Sequence, residues 1–381
     1  MGGGIAHVLA AASVDVVLVD VTSDLVAQGL KRIEATCASA VKKGKLTPEA
    51  RESLMARIKG STSHEDAAAA DLVIEAIIED RTIKADLFRS LNRLCAPECV
   101  FATNTSTLSV TDLASLSGRP DRFLGLHFFN PVHAMKLVEV IPGLDTAPSV
   151  LSRAKDSMAL IGKVPVAAQD CPGFLVNRIL LQYITEALLC AEEGVSPEEI
   201  DSQAKDAGFP MGPLALVDMV GIDVSCHTQP ILHEAYGVRF PFPQIVKKLF
   251  DAGRFGAKAG KGIYAEGKVD DEYRRIVGKV STEPFSIDRC IARAVNEAVY
   301  CLQEGVASAE EIDRAMVLGT AFPHEGPLHW ADARGLDEVQ LILEGLAKSE
   351  GPRFWPHHLL KTYVAGGRVG KKTKKGFFEY P

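Results

Sequence analysis

Short β-branched runs alternate with amphipathic segments through residues 1–170, and no other feature constrains the fold as tightly. Residues 15–20, DVVLVD, form one run; Leu72–Ala76, Val100–Thr103, Phe123–Leu126, Leu137–Ile141 and Val164–Ala168 form the others. Helical patterns fall between them at Ser23–Lys42, Arg81–Leu94 and Ser149–Ile161. Thr47-Pro48-Glu49 opens one more, with a capping hydroxyl and a proline in the first turn. Strands separated by helices predict a parallel sheet whose ligands bind at the carboxyl ends of the strands.

The opening MGGGIAHVLA reads as the second half of a dinucleotide fingerprint, a glycine at Gly2 followed by the first turns of a helix. Asp20 follows Gly2 by about 18 residues, a spacing that suits an acid on the adenosine ribose and favours NAD over NADP. The first strand and the first two glycines of GxGxxG are not in the chain. Taken alone, a glycine-rich start is more often a flexible terminus.

The stretch RFLGLHFFNPVHAMKLVEVI, Arg122–Ile141, carries the clearest chemistry. His127 ends one apolar run and Glu139 sits inside the next, with the polar loop Asn130–Lys136 between them. If the two runs fold back as neighbouring strands, imidazole and carboxylate meet. A carboxylate on one ring nitrogen fixes the tautomer and makes the other a proton acceptor, suited to a substrate hydroxyl. The structural alternative is a histidine capping a strand end beside a surface glutamate.

Charge and cysteine usage exclude other classes. The net charge is −7, and the one basic run, Lys371–Lys375, reads as a solvated loop, so a nucleic-acid partner is not expected. The eight cysteines form no CxxC pair and no Cys/His spacing; they read as reduced core thiols, with no metal site. No apolar run reaches the length of a membrane span, and no leader or retention signal is apparent, so the cytoplasm is the expected compartment.

Beyond Pro172 helical patterns dominate and the sequence repeats itself. Arg178–Asp201 matches Arg289–Asp313, Gly208–Asp223 matches Ala321–Asp337, and Gly256–Tyr264 matches Gly370–Phe378, at an offset of about 111–114 residues. Domains are therefore expected at 1–170, 171–275 and 283–381, with Glu266–Pro284 as a charged, turn-rich linker. A duplicated unit can pack on itself as two subunits would. The second copy has Glu283-Pro284-Phe285-Ser286 where the first has the CPGFLVN turn, so it is expected to be mainly structural.

The motifs MGGGIA, VVLVD, LVIEAIIED followed by Lys84, ATNTSTLS, GLHFFNPV, LVEVI and CPGFLVNR occur in this order along the chain. Together they resemble the 3-hydroxyacyl-CoA dehydrogenase family, particularly the dehydrogenase portion of multifunctional fatty-acid oxidation enzymes. The resemblance implies a Rossmann-type α/β domain, here lacking its first strand, followed by two repeated all-α domains. It implies NAD-dependent oxidation of 3-hydroxyacyl-CoA in β-oxidation, with His127 as base, Glu139 as its partner, and Ser106 and Asn177 as donors to the substrate oxygen. Met1, Gly2, Asp20, Ile77, Ile78, Glu79, Lys84, Ser106 and Asn130 would bind the cofactor, with Lys84 near its phosphates or ribose. Ser106, Asn130 and Asn177 would contact substrate, and Trp330 could edge the acyl pocket. Without the resemblance, Glu79 and Lys84 read as an exposed pair at a helix start.

Double-unit members of the family are expected to internalise the dimer interface of single-unit ones. Two other readings stay open: an impaired or structural relative that binds NAD weakly, and a dehydrogenase of a small free hydroxy acid. The absent fingerprint residues also suit a misplaced start codon, or a piece of a larger protein with an upstream hydratase domain.

Overall fold

In the computed structural model, which describes residues 1–381, the chain falls into two units, Met1–Cys171 and Pro172–Pro381. The first unit begins with α1 (Gly2–Ala11), β1 (Val16–Val19), α2 (Ser23–Lys42), α3 (Pro48–Ala56) and β2 (Ile58–Ser61). There follow β3 (Leu72–Glu75), α4 (Arg81–Leu94), β4 (Val100–Thr103), α5 (Val110–Ser117), β5 (Phe123–Phe128), β6 (Leu137–Pro142), α6 (Pro148–Leu160) and β7 (Val164–Ala167). Side-chain caps start the helices where the sequence offers them: Thr22 accepts from Leu25 N–H, Thr47 from Ala50, Asp80 from Ile83 and Ser109 from Asp112.

The strands form two ladders, β1-β2 and β3-β4-β5-β6-β7. All neighbours run parallel except β5 and β6, which are antiparallel, so the sheet is mixed and not wholly parallel as expected. The reason is the connection: the few residues between β5 and β6 hold no helix, and a parallel return needs a crossover of about a dozen or more. Helix α1 serves both ladders. Its Ile5 and Val8 join the core of Ala102, Leu124, Leu126, Val138 and Val140, while Ala6 and Ala10 face Ile33, Cys37, Leu54 and Ile58.

The second unit holds α7 (Val176–Glu192), α8 (Pro197–Asp206), α9 (Pro213–Val220), α10 (Ile222–Tyr236), α11 (Gln244–Asp251) and α12 (Asp271–Val277). It continues with α13 (Asp288–Gln303), α14 (Ala309–Thr320), α15 (Pro327–Arg334), α16 (Leu336–Ser349) and α17 (His358–Ala365). Helix α12 lies inside the segment expected to be a linker. Asp270 caps it, Tyr273 is buried, and the buried Arg254 reaches Asp270 at 2.9 Å and Glu272 at 2.7 Å.

Matching segments of the repeat make matching contacts. Asp201 accepts the N–H groups of Leu214 and Ala215 as Asp313 accepts those of Leu328 and His329. Asp218 holds the Ile263 and Tyr264 N–H groups as Asp332 holds those of Phe377 and Phe378. Across α7 and α13 two ion pairs cross: Arg178 Nε to Glu297 at 2.7 Å, and its counterpart Arg289 Nε to Glu186 at 2.8 Å. Trp330 is buried within this unit, and Lys372 and Lys375 of the basic run pair with Asp337 and Glu379. No helix is long and apolar enough to cross a membrane.

Candidate active site

His127 and Glu139 face each other across the antiparallel pair, in direct register. Opposed residues of such a ladder carry their side chains on one face within about 5 Å. Here His127 Nδ1 lies 2.6 Å from Glu139 Oε2, and both side chains are buried. The carboxylate is an acceptor, so the neutral ring carries its proton on Nδ1 and presents Nε2 as the basic nitrogen. The Phe129 ring lies 4.7 Å from the imidazole, centroid to centroid.

The turn after β4 stands beside this pair. Asn104 Oδ1 accepts the Phe128 N–H at 2.8 Å, which ties the turn to the end of β5, one residue beyond His127. Ser106 follows two residues later, and its N–H donates to Glu79 Oε1 at 2.9 Å. The same oxygen takes the Thr105 hydroxyl at 2.5 Å and the Thr107 N–H at 3.2 Å. Burial would raise the Glu79 pKa, but the Thr105 hydrogen bond, the Lys84 charge and the Ser106 N–H together hold this carboxyl below its ordinary range.

Lys84 lies elsewhere than in an exposed pair with Glu79. Its side chain is 1 % exposed, and its ammonium sits 2.6 Å from Glu75 Oε1 and 3.2 Å from Glu79 Oε2. Glu75 was not singled out from the sequence, although an acid closing an apolar strand run is a visible signal. Asp170 was missed too; it caps the start of α5, taking the Ser109 hydroxyl and the Val110 and Thr111 N–H groups.

The remaining expected cofactor residues gather at strand ends. Met1 and Gly2 begin α1, whose N-terminus has no side-chain cap and no acid in its first turn, leaving backbone donors suited to a phosphate. A Cβ on Gly4 would come within 2.9 Å of Val132, so only glycine fits where the helix passes that loop. Asp20 is exposed directly after β1, and Ile77 and Ile78 are exposed after β3, Ile78 to 64 %. Asn130 is exposed on the loop between β5 and β6. These donors, acid and apolar surface fit a dinucleotide. Asn177 is half-buried at the second position of α7, in the other unit.

An uncapped glycine-rich helix start, an exposed acid directly after β1 and a histidine–carboxylate pair suit a nucleotide-linked oxidoreductase. Sequence comparison narrows this: the chain belongs to the 3-hydroxyacyl-CoA dehydrogenase family. Residues 1–171 match its NAD binding domain, and residues 173–266 and 285–380 match its C-terminal domain. The fatty acid oxidation complex subunit alpha of Shewanella amazonensis is 37% identical over 97% of this chain and 54% of that protein. The chain thus spans about half the length of such curated relatives. Among solved structures, 3-hydroxybutyryl-CoA dehydrogenase from Escherichia coli K12 superposes with a TM-score of 0.88 at 32% identity, covering 96% of both chains. (S)-3-hydroxybutyryl-CoA dehydrogenase from Ralstonia eutropha gives 0.68 at 38% identity, covering 70% of this chain and 96% of that one.

Proposed function

We propose that this chain oxidises the 3-hydroxyl of an acyl-CoA thioester to the 3-oxo compound. The observation that carries the reading is the 2.6 Å pairing of His127 with the buried Glu139 beside the Ser106 turn. His127 Nε2 takes the hydroxyl proton, and the imidazolium that forms is stabilised by the Glu139 carboxylate. NAD, when bound, supplies the acceptor for the hydride that leaves C3. As the C–O bond shortens, the Ser106 hydroxyl serves as a hydrogen-bond donor to the oxygen. In reverse, the His127 imidazolium returns the proton and the 3-oxoacyl thioester is reduced. With NAD bound, Asp20 would hold the adenosine ribose, the α1 N-terminus the pyrophosphate, and Ile77, Ile78 and Asn130 would line the cofactor.

A CoA thioester is preferred here to a free hydroxy acid, a reading supported by the names of the two solved relatives above, given for 3-hydroxybutyryl-CoA. The curated relative's name, a fatty acid oxidation complex subunit, supports work beside other fatty acid oxidation activities. The helical part is read as two repeats, 171–275 and 283–381, whose crossed ion pairs stand where a symmetric dimer would pair. The break between β1 and β3 supports reading the sheet as one that lacks the fingerprint strand. That break also favours a second reading, weak NAD binding, and titration with NAD separates the two. In the first reading His127→Gln abolishes turnover of 3-hydroxybutyryl-CoA while leaving NADH affinity unchanged; turnover near the parent rate would remove His127 as the base.

A further inference from the structure

We propose that Glu75 is a positioning residue, holding the Ser106 turn in place through Lys84 and Glu79. The inference rests on the active-site reading above for what Ser106 does, but its geometry stands independently. Glu75 closes β3 at 3 % exposure, and a buried carboxylate persists only where its lone pairs are satisfied. Its Oε1 accepts the Lys84 ammonium at 2.6 Å and the Ile77 N–H at 2.7 Å. Its Oε2 accepts the Thr103 hydroxyl at 2.6 Å, and its backbone carbonyl accepts the Asn104 N–H at 2.8 Å. One residue therefore grips helix α4, the Ile77 loop, the end of β4 and the first residue of the turn.

Lys84 carries the grip onward. Its ammonium lies between two carboxylates, so Glu79 Oε2 is held at 3.2 Å while Oε1 points to the turn. There Oε1 gathers the Thr105 and Thr107 hydroxyls, the Ser106 and Thr107 N–H groups and, at 3.4 Å, the Ser106 hydroxyl. If Glu75 were neutral, Lys84 would keep Glu79 as its one charged partner and could draw that carboxylate off the turn. Stability alone gives weak reason to bury the two charges of Glu75 and Lys84, because apolar residues of similar volume commonly replace such groups without loss. Delivery of a fixed carboxylate to the Ser106 backbone gives a reason.

The test compares the parent chain with Glu75→Gln and with Glu75→Gln/Lys84→Met, the second of which leaves no buried ammonium unpaired. Amide hydrogen exchange at Ser106 and Thr107 is expected to rise about 10-fold or more in both variants, the scale of a lost charge-assisted hydrogen bond. Exchange at Phe101 and Leu126, inside β4 and β5, is expected to stay unchanged. With 3-hydroxybutyryl-CoA, kcat is expected to fall about 10-fold or more, as misplacement of a donor does, with KM nearly constant. The double variant should regain the parent melting temperature without regaining kcat. Unchanged exchange at Ser106 and Thr107 in the double variant overturns the inference, and so does recovery of kcat together with the melting temperature. If His127→Gln turned over normally, the active-site reading would fail, while the exchange data would still decide the role of Glu75 in the turn.

Discussion

Replacing Glu139 by Gln isolates the charge of the carboxylate from its shape. The side chain is fully buried, and glutamine fills nearly the same volume beside His127. With Nδ1 and Oε2 at 2.6 Å, the charge centres of imidazolium and carboxylate lie about 4 Å apart. At an effective dielectric of about 20 their attraction is about 4 kcal/mol. Each 1.36 kcal/mol is about tenfold in rate, so losing that attraction in the transition state corresponds to about 1000-fold. This falls inside the 10²–10⁴-fold range typical of general-base catalysis, which keeps the estimate physically reasonable at about that order. The amide oxygen still accepts from Nδ1–H, so the ring stays oriented and the loss falls on kcat. The assay is steady-state reduction of NAD with 3-hydroxybutyryl-CoA, alongside NADH titration and thermal melting. The expected pattern is a kcat lowered by about three orders of magnitude, NADH affinity unchanged and a folded protein. A kcat within about threefold of the parent would refute the claim that Glu139 stabilises a charged His127 during the reaction.

Gly125 pairs with Ile141, two residues from the His127–Glu139 pair, and an added Cβ would come within 2.9 Å of Val110 and 3.1 Å of Ile141. Gly125→Ala is expected to cost about 1–3 kcal/mol by urea unfolding and to lower kcat with it; an unchanged urea midpoint would contradict the packing described. The Glu79 pKa is depressed in the folded state, so its stabilising contribution is complete above the ordinary carboxylate pKa and is lost as pH falls through the depressed value. Melting temperatures of the parent and Glu79→Gln should therefore differ most at neutral pH and converge as pH falls below the ordinary carboxylate range; a constant difference on acidification would refute the assignment. Burial and the neighbouring Cys95 push the Cys99 thiol up to about 12. Iodoacetamide at about pH 8 should leave Cys99 unmodified in the native protein, and rapid native-state alkylation detected by peptide mass would contradict its burial.

What the sequence shows of this fold follows from where each signal originates. Strands β4, β5 and β6 are buried along almost their whole length, so their apolar runs stand out in the sequence. Strand β2, Ile58–Ser61, carries no such run; it forms by pairing with β1, and Gly60 is required because a Cβ would lie 2.5 Å from Val26. Helix α12 hides in a charged stretch because only Tyr273 is buried there. The meeting of His127 and Glu139 was legible as two strands folding back. Their direct register was not, since the intervening loop matches no short hairpin turn whose length would set it. Lys84 misled because local spacing compares it with Glu79, whereas its nearer partner, Glu75, belongs to the preceding strand.

The one antiparallel pair in the sheet explains how the site can exist. Parallel neighbours present their carboxyl ends together, so a residue facing His127 from a parallel strand would also have to lie near that strand's end, after a full helical crossover. Reversal at the β5–β6 loop instead brings the start of β6 to the level where β5 finishes. Glu139, third in β6, thereby opposes His127, the last residue but one of β5, with only a short loop between the strands. Strand β7 then returns parallel to β6, pairing Val166 with Glu139 and covering the carboxylate's own strand from the other side. The carboxylate is thus held between two backbone ladders instead of on a mobile loop, which suits a group that must stay fixed while its partner gains and loses a proton. A wholly parallel sheet with the same residues would have left His127 at an open end with no acid across from it.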